Sequence, residues 1–162
     1  MDPVHFSSKE ILEMAVRIEE NGLGFYKAAS SATESAKIKE LFDYLIIEEV
    51  KHVELFEALK DAITEGVPND YNDPYLADES AYINALADSS IFKKGEDGVK
   101  KAKSITSDDE ALDFAIQMEK DSILFYLELI NMVRDDDRAT VKDILSEERK
   151  HIAKLTELKT NL

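Results

Sequence analysis

No cysteine occurs in the 162 residues. That excludes disulfides, thiolate-held zinc, iron–sulfur clusters and thiol catalysis within them. Proline occurs three times and glycine five times, and of these only Gly22 and Gly24 interrupt the four longest apolar-periodic runs, so long helices are permitted almost throughout. Basic side chains are scarce: 20 Lys and Arg face 35 Asp and Glu, a formal charge of -15. Nucleic-acid phosphates call for the opposite surplus, which argues against DNA or RNA as a partner. Long apolar runs are missing too. Nothing approaches the ~20 residues of a membrane span, and Met1 to Lys9 holds no basic region leading into an apolar stretch. The expectation is a cytoplasmic protein with no membrane partner. What is present, 44% apolar and 34% charged residues, fits one α-helical domain over residues 1–162.

Apolar spacing places four long helices. The first opens on Ser7-Ser8-Lys9-Glu10, which reads as a capping box, and carries Ile11, Met14, Ala15, Ile18, Gly22, Phe25, Tyr26 and Ala29 on one stripe. Glu19 lies on that stripe and Glu20 one position round. A polar turn over residues 30–36 predicts an antiparallel return from about Lys37 to about Thr64, with Ile38, Leu41, Leu45, Phe56 and Leu59 inward. Residues 65–106 form the longest connection and must span the bundle; within them Asp78 to Phe92 is expected to be helical and the Lys93–Gly98 stretch to break it. A second capping box, Ser107 to Glu110, opens the third helix, whose stripe holds Leu112, Ala115, Met118, Ser122, Phe125, Tyr126 and Leu129, interrupted by Glu119. Asp135-Asp136-Asp137 reads as a solvated turn. The fourth helix runs from about Thr140 to about Lys159 with Ile144, Leu145, Ile152, Leu155 and Leu158 inward.

The two halves repeat. Glu10, Ala15, Glu19, Phe25 and Tyr26 recur as Glu110, Ala115, Glu119, Phe125 and Tyr126, while Glu49, His52 and Leu59 recur as Glu148, His151 and Leu158. This describes two antiparallel helical hairpins, about 7–64 and 107–160, joined by a long, partly helical crossover into a four-helix bundle. Stripe and repeat both select Glu19 over Glu20.

Two of the chain's three histidines sit in Glu-x-x-His motifs, Glu49 to His52 and Glu148 to His151. Carboxylate and imidazole at i and i+3 project from one helix face and suit a shared metal ion. Spacing alone leaves Glu48 and Glu147, four residues before each histidine, as rivals of Glu49 and Glu148. One motif alone carries little weight, since Glu and His are common at helical spacing. Two on matching faces, each paired with a Glu that interrupts an apolar stripe, point to a two-metal site in which four carboxylates balance two divalent ions. The ligand set suits iron or manganese; zinc binds such donors as a substitute. Tyr26 and Tyr126 have two readings: core packing, or a hydrogen bond to a ligand carboxylate on a neighbouring helix.

These residues, Glu19, Glu49 with His52, Glu119, Glu148 with His151 and the two Phe-Tyr pairs, resemble the rubrerythrin family of ferritin-like proteins. The family motif favours Glu49 and Glu148 over Glu48 and Glu147. The resemblance implies an all-α ferritin-like bundle, two iron ions (Fe2+/Fe3+, with an oxide bridge offsetting the charge of the oxidised pair), oxidoreductase activity on hydrogen peroxide or dioxygen in oxidative stress, and a homodimer. Full-length members carry a rubredoxin module with a cysteine-held iron; these residues contain none, so the resemblance implies an external electron-donor protein. Many members also have another Glu one turn after the third-helix ligand, where Ser122 stands. The rival readings are an iron-handling ferroxidase module and a metal-free interaction bundle.

Overall fold

The computed structural model describes residues 7–63, 81–83, 85–86 and 98–162. Among the described residues the bounded α-helices follow one another as α1 (Ser8–Ala32), α2 (Ala36–Asp61), α3 (Gly98–Ser104), α4 (Asp108–Met132) and α5 (Arg138–Thr160). No strand occurs among the described residues.

The start of α1 follows from its sequence. The Ser7 hydroxyl accepts from the Glu10 amide at 3.2 Å, and Glu10 accepts from the Ser7 amide at 2.8 Å, a reciprocal cap of the kind worth about 1 kcal/mol. The predicted second box forms only by half. Ser107 caps the Glu110 amide, but the Glu110 carboxylate takes the Thr106 amide at 3.1 Å instead of that of Ser107. The backbone explains the difference: φ is -145° at Ser107 and -71° at Ser7, so the two chains enter their helices with the cap amide turned differently. No side chain caps α5, which grows from a 3-10 turn at Asp135–Asp137. That acidic run is balanced locally by Arg134 on Asp137 (2.8 Å) and Arg138 on Asp135 (3.0 Å).

Each hairpin packs α1 on α2 and α4 on α5, and the bundle closes through α1 against α4 and α2 against α5. Its apolar interior is divided in two. One cluster joins the start of α1 (Ile11, Ala15) and of α5 (Ile144, Leu145) to the ends of α2 (Phe56) and α4 (Phe125, Leu129). The other joins the end of α1 (Phe25, Ala29) and of α5 (Leu155) to the starts of α2 (Ile38, Phe42, Leu45) and α4 (Leu112, Ala115). Every packed neighbour is therefore antiparallel, and the α2–α4 connection runs from one end to the other.

Within α2 the apolar stripe is rotated slightly from the sequence reading. Phe42 is fully buried, against the rings of Phe25 (6.3 Å) and Tyr26 (5.4 Å), whereas Leu41 is only half-buried. An aromatic ring gains more from the centre of the bundle than a leucine does. In α5, Ile152 and Leu158 are likewise only half-buried.

Part of the crossover lies outside the described residues: of the expected helix at 78–92, residues 81–83 and 85–86 are described and helical, with Ile83 fully buried. Gly98, read as part of a breaker, instead begins α3. This short helix lies on α1 so closely that a Cβ at Gly98 would fall 2.2 Å from the Asn21 carbonyl oxygen. Phe114 packs against Phe25 at 4.8 Å, with the Lys101 ammonium 5.2 Å from the Phe114 ring centre.

Candidate metal centre

Between the two apolar clusters the bundle buries six ionisable side chains. Glu19 comes from α1, Glu49 and His52 from α2, Glu119 from α4, and Glu148 and His151 from α5; none is more than 3% exposed. Burying that many ionisable groups in a core is costly unless they meet partners or a metal. The bundle brings all six sequence candidates together. Glu19, Glu49, His52 and Glu148 form one group, and Glu49, Glu119, Glu148 and His151 another; in each, one donor atom per residue lies within 4.8 Å of all the others. Glu49 and Glu148 belong to both. The arrangement is two adjoining positions, each with its own Glu and His, sharing two carboxylates.

The neighbouring acids go elsewhere. Glu48 pairs with Lys51 at 2.6 Å, and Glu147 lies behind His52, its Oε2 2.8 Å from Nε2. The contact of Glu147 with His52 crosses from α5 to α2, and the sequence reading missed it.

Both imidazoles turn Nδ1 inward. His52 Nδ1 lies 3.0 Å from Glu148 Oε1 and 3.7 Å from Glu19 Oε2. His151 Nδ1 lies 3.0 Å from Glu148 Oε2 and 3.6 Å from Glu119 Oε2. The two rings stack at 5.7 Å. Among the described residues, the buried side-chain polar atoms without a hydrogen-bond partner are His52 Nδ1, Glu148 Oε1 and His151 Nε2. The first two face the interior of the cluster. Unsatisfied inward donors of this kind, with carboxylate oxygens and imidazole nitrogens mixed, fit bound iron.

The hairpins also cross-brace the acids. Tyr26 of α1 donates to Glu119 of α4, and Tyr126 of α4 donates to Glu19 of α1. The rings of both tyrosines are fully buried, and their hydroxyls bond to carboxylates across the bundle. Burial and the adjacent carboxylates push both phenols well above their ordinary range, so they remain donors. Ser122 is buried, and its hydroxyl bonds its own helix at Met118 O, 3.1 Å away.

Without metal the cluster divides its protons unevenly. Burial opposes charge on Glu19 and Glu119, but hydrogen bonds from Glu49 and Glu148 respectively, together with the histidines and tyrosines, outweigh it and lower both. Burial and repulsion from the other acids raise Glu49 well above the carboxylate range and Glu148 to about 8. Burial would lower the histidines, yet the surrounding carboxylates raise His52 to about 12 and His151 to about 9. The histidines are thus biased toward their charged form beside Glu19 and Glu119, and Glu49 and Glu148 toward their protonated form.

Comparison with known proteins agrees with this geometry. The rubrerythrin family model matches residues 10–159. A Thermotoga maritima protein, whose crystal structure is described as that of a ferritin-like diiron-carboxylate protein, is similar over 96% of each chain at 30% identity, with a TM-score of 0.72. No curated protein matches. No helix among the described residues is long and apolar enough to cross a membrane. The match over nearly the whole chain, together with the all-helical bundle and its buried carboxylate–histidine cluster, places the chain in the rubrerythrin family, with a ferritin-like fold.

Proposed function

We propose that this protein is a non-haem diiron oxidoreductase that reduces hydrogen peroxide with electrons from an external donor protein. The observation that carries the reading is the pair of overlapping four-residue groups, which share Glu49 and Glu148 and leave His52 Nδ1 and Glu148 Oε1 without hydrogen-bond partners. In this reading Glu19, Glu49, His52 and Glu148 would hold one ion, and Glu49, Glu119, Glu148 and His151 the other. When bound, a pair of Fe(II) ions would supply the two electrons needed to convert one peroxide and two protons to two waters. The chain's own part is to keep the site dry and oriented. Apolar clusters close it above and below, and the Tyr26 and Tyr126 hydroxyls fix Glu119 and Glu19. These 162 residues hold no cysteine, so in this reading the electrons for re-reduction come from outside them.

A second reading, iron handling by oxidation of Fe(II), is favoured by one residue. Ser122 stands where many rubrerythrins have a further Glu, and its hydroxyl bonds backbone rather than facing the cluster. Anaerobic reduction followed by repeated peroxide additions, with a competent donor present, separates the two. Sustained donor oxidation at two electrons per peroxide is expected; a single stoichiometric reoxidation without turnover would reject the peroxidase reading.

A further inference from the structure

The ligand cluster repeats across the two hairpins, but the groups behind it do not. His52 Nε2 is 2.8 Å from Glu147 Oε2, a carboxylate 38% exposed at its side chain. The repeat maps this contact onto His151 and Glu48. There it is missing: His151 Nε2 is buried with no hydrogen-bond partner, and Glu48 is turned to Lys51 at 2.6 Å. Glu48 is still near enough that the His151 charge acts on it. Lys150, the counterpart of Lys51, holds no ion pair among the described residues and leaves Glu147 to His52. The Tyr44 ring stands edge-on to His151 at 6.2 Å, with the Lys154 ammonium 5.0 Å from its centre, and His151 Nε2 makes no hydrogen bond to it.

An imidazole that binds metal through Nδ1 carries its proton on Nε2. A carboxylate accepting that proton fixes the tautomer and ring orientation and makes Nδ1 a stronger donor; losing such a partner typically costs about 10–100-fold in metal affinity. A buried N–H with no acceptor does the reverse. We infer that the two metal positions are unequal, that the His52 position fills first because Glu147 backs its imidazole, and that Lys51 sets the inequality by withholding Glu48 from His151. Glu147, Glu48 and Lys51 are positioning residues, and the inference rests on the metal-site reading above.

The test is anaerobic titration of the metal-free chain with Co(II), followed by calorimetry and visible absorption. The wild type should bind in two steps separated by about 10-fold or more. Glu147→Ala should weaken the first step by that factor, with Glu147→Gln, which keeps an acceptor, falling between. Lys51→Met should tighten the second step about 10-fold and leave the first in place. With one equivalent of Zn(II), long-range ¹H–¹⁵N spectra should show the His52 ring shifted before that of His151. Equal binding constants in the wild type, a first step indifferent to Glu147, or a second step indifferent to Lys51→Met would each overturn the inference while two ions still bind. Failure of the wild type to bind any Co(II) would instead overturn the metal site itself, and the inequality with it.

Discussion

Metal uptake by this cluster should behave as an exchange of protons for ions. Below about pH 8 the metal-free site holds protons to be displaced on His52, raised to about 12, on His151, raised to about 9, and on Glu148, raised to about 8, and Glu49 is shifted in the same direction by burial and the neighbouring acids. Each proton displaced makes the product of the two binding constants rise about 10-fold per pH unit, ~1.4 kcal/mol, so three displaced by two divalent ions give about 10³-fold, roughly 4 kcal/mol. The same four groups fix the sign for the metal-free fold. Each binds its proton more tightly folded than unfolded, from ordinary values of 4.5 for Glu and 6.5 for His. Stability is therefore greatest before these groups begin to titrate in the unfolded chain and falls as pH rises toward the folded values. Glu19 and Glu119, shifted downward, act oppositely, contributing stability above about 4.5 that is lost only as pH falls through their lowered values. The metal-free midpoint should thus drop between about pH 6 and 9, while the loaded protein stays level and the gap widens. Calorimetric titration with Co(II) in buffers of different ionisation enthalpy counts the protons released. Release of about three or more per two ions is expected; release of one or none, with affinity flat in pH, would refute the proton-exchange picture.

Other predictions follow from single contacts. Tyr26→Phe or Tyr126→Phe removes a hydrogen bond to a buried charged carboxylate and should destabilise the metal-free fold by about 1.5–3 kcal/mol in denaturant titration; an unchanged midpoint would deny the cross-bracing. His52→Ala or His151→Ala should weaken metal retention through dialysis, whereas unchanged stoichiometry and affinity would reject the assignment of the imidazoles as ligands. Gly98→Ala forces a Cβ into the Asn21 carbonyl and should cost about 1–3 kcal/mol or undock α3, read as a lowered midpoint and faster amide exchange in α1 around Asn21.

Much of the bundle was legible because its signals are periodic and doubled. Helical spacing gave the stripes, and the repeat turned two weak Glu-x-x-His motifs into halves of one cluster, down to the choice of Glu19 over Glu20. The details that escaped depend on groups brought together only by folding. Whether Ser107 completes a capping box depends on the backbone angle at which the chain arrives, which the string Ser-Asp-Asp-Glu does not encode. Gly98 in sequence looks like any helix breaker; only the approach of α3 to α1 shows why a side chain is excluded there. The exchange of Tyr26 and Tyr126 between hairpins needs α1 and α4 to be antiparallel neighbours. The unequal environments of His52 and His151 are least visible of all, because the two sequences around them are nearly the same and the difference lies in which partner Glu48 and Glu147 turn to.

The central claim, two metal positions built from Glu19, Glu49, His52, Glu119, Glu148 and His151, is tested most directly by anaerobic Fe(II) loading of chelator-stripped protein, followed by metal analysis and thermal unfolding. Two ions per chain and a raised midpoint are predicted, both lost when Glu49 and Glu148 are replaced by Gln. A chain that binds no iron and unfolds at the same temperature with or without it would contradict the account.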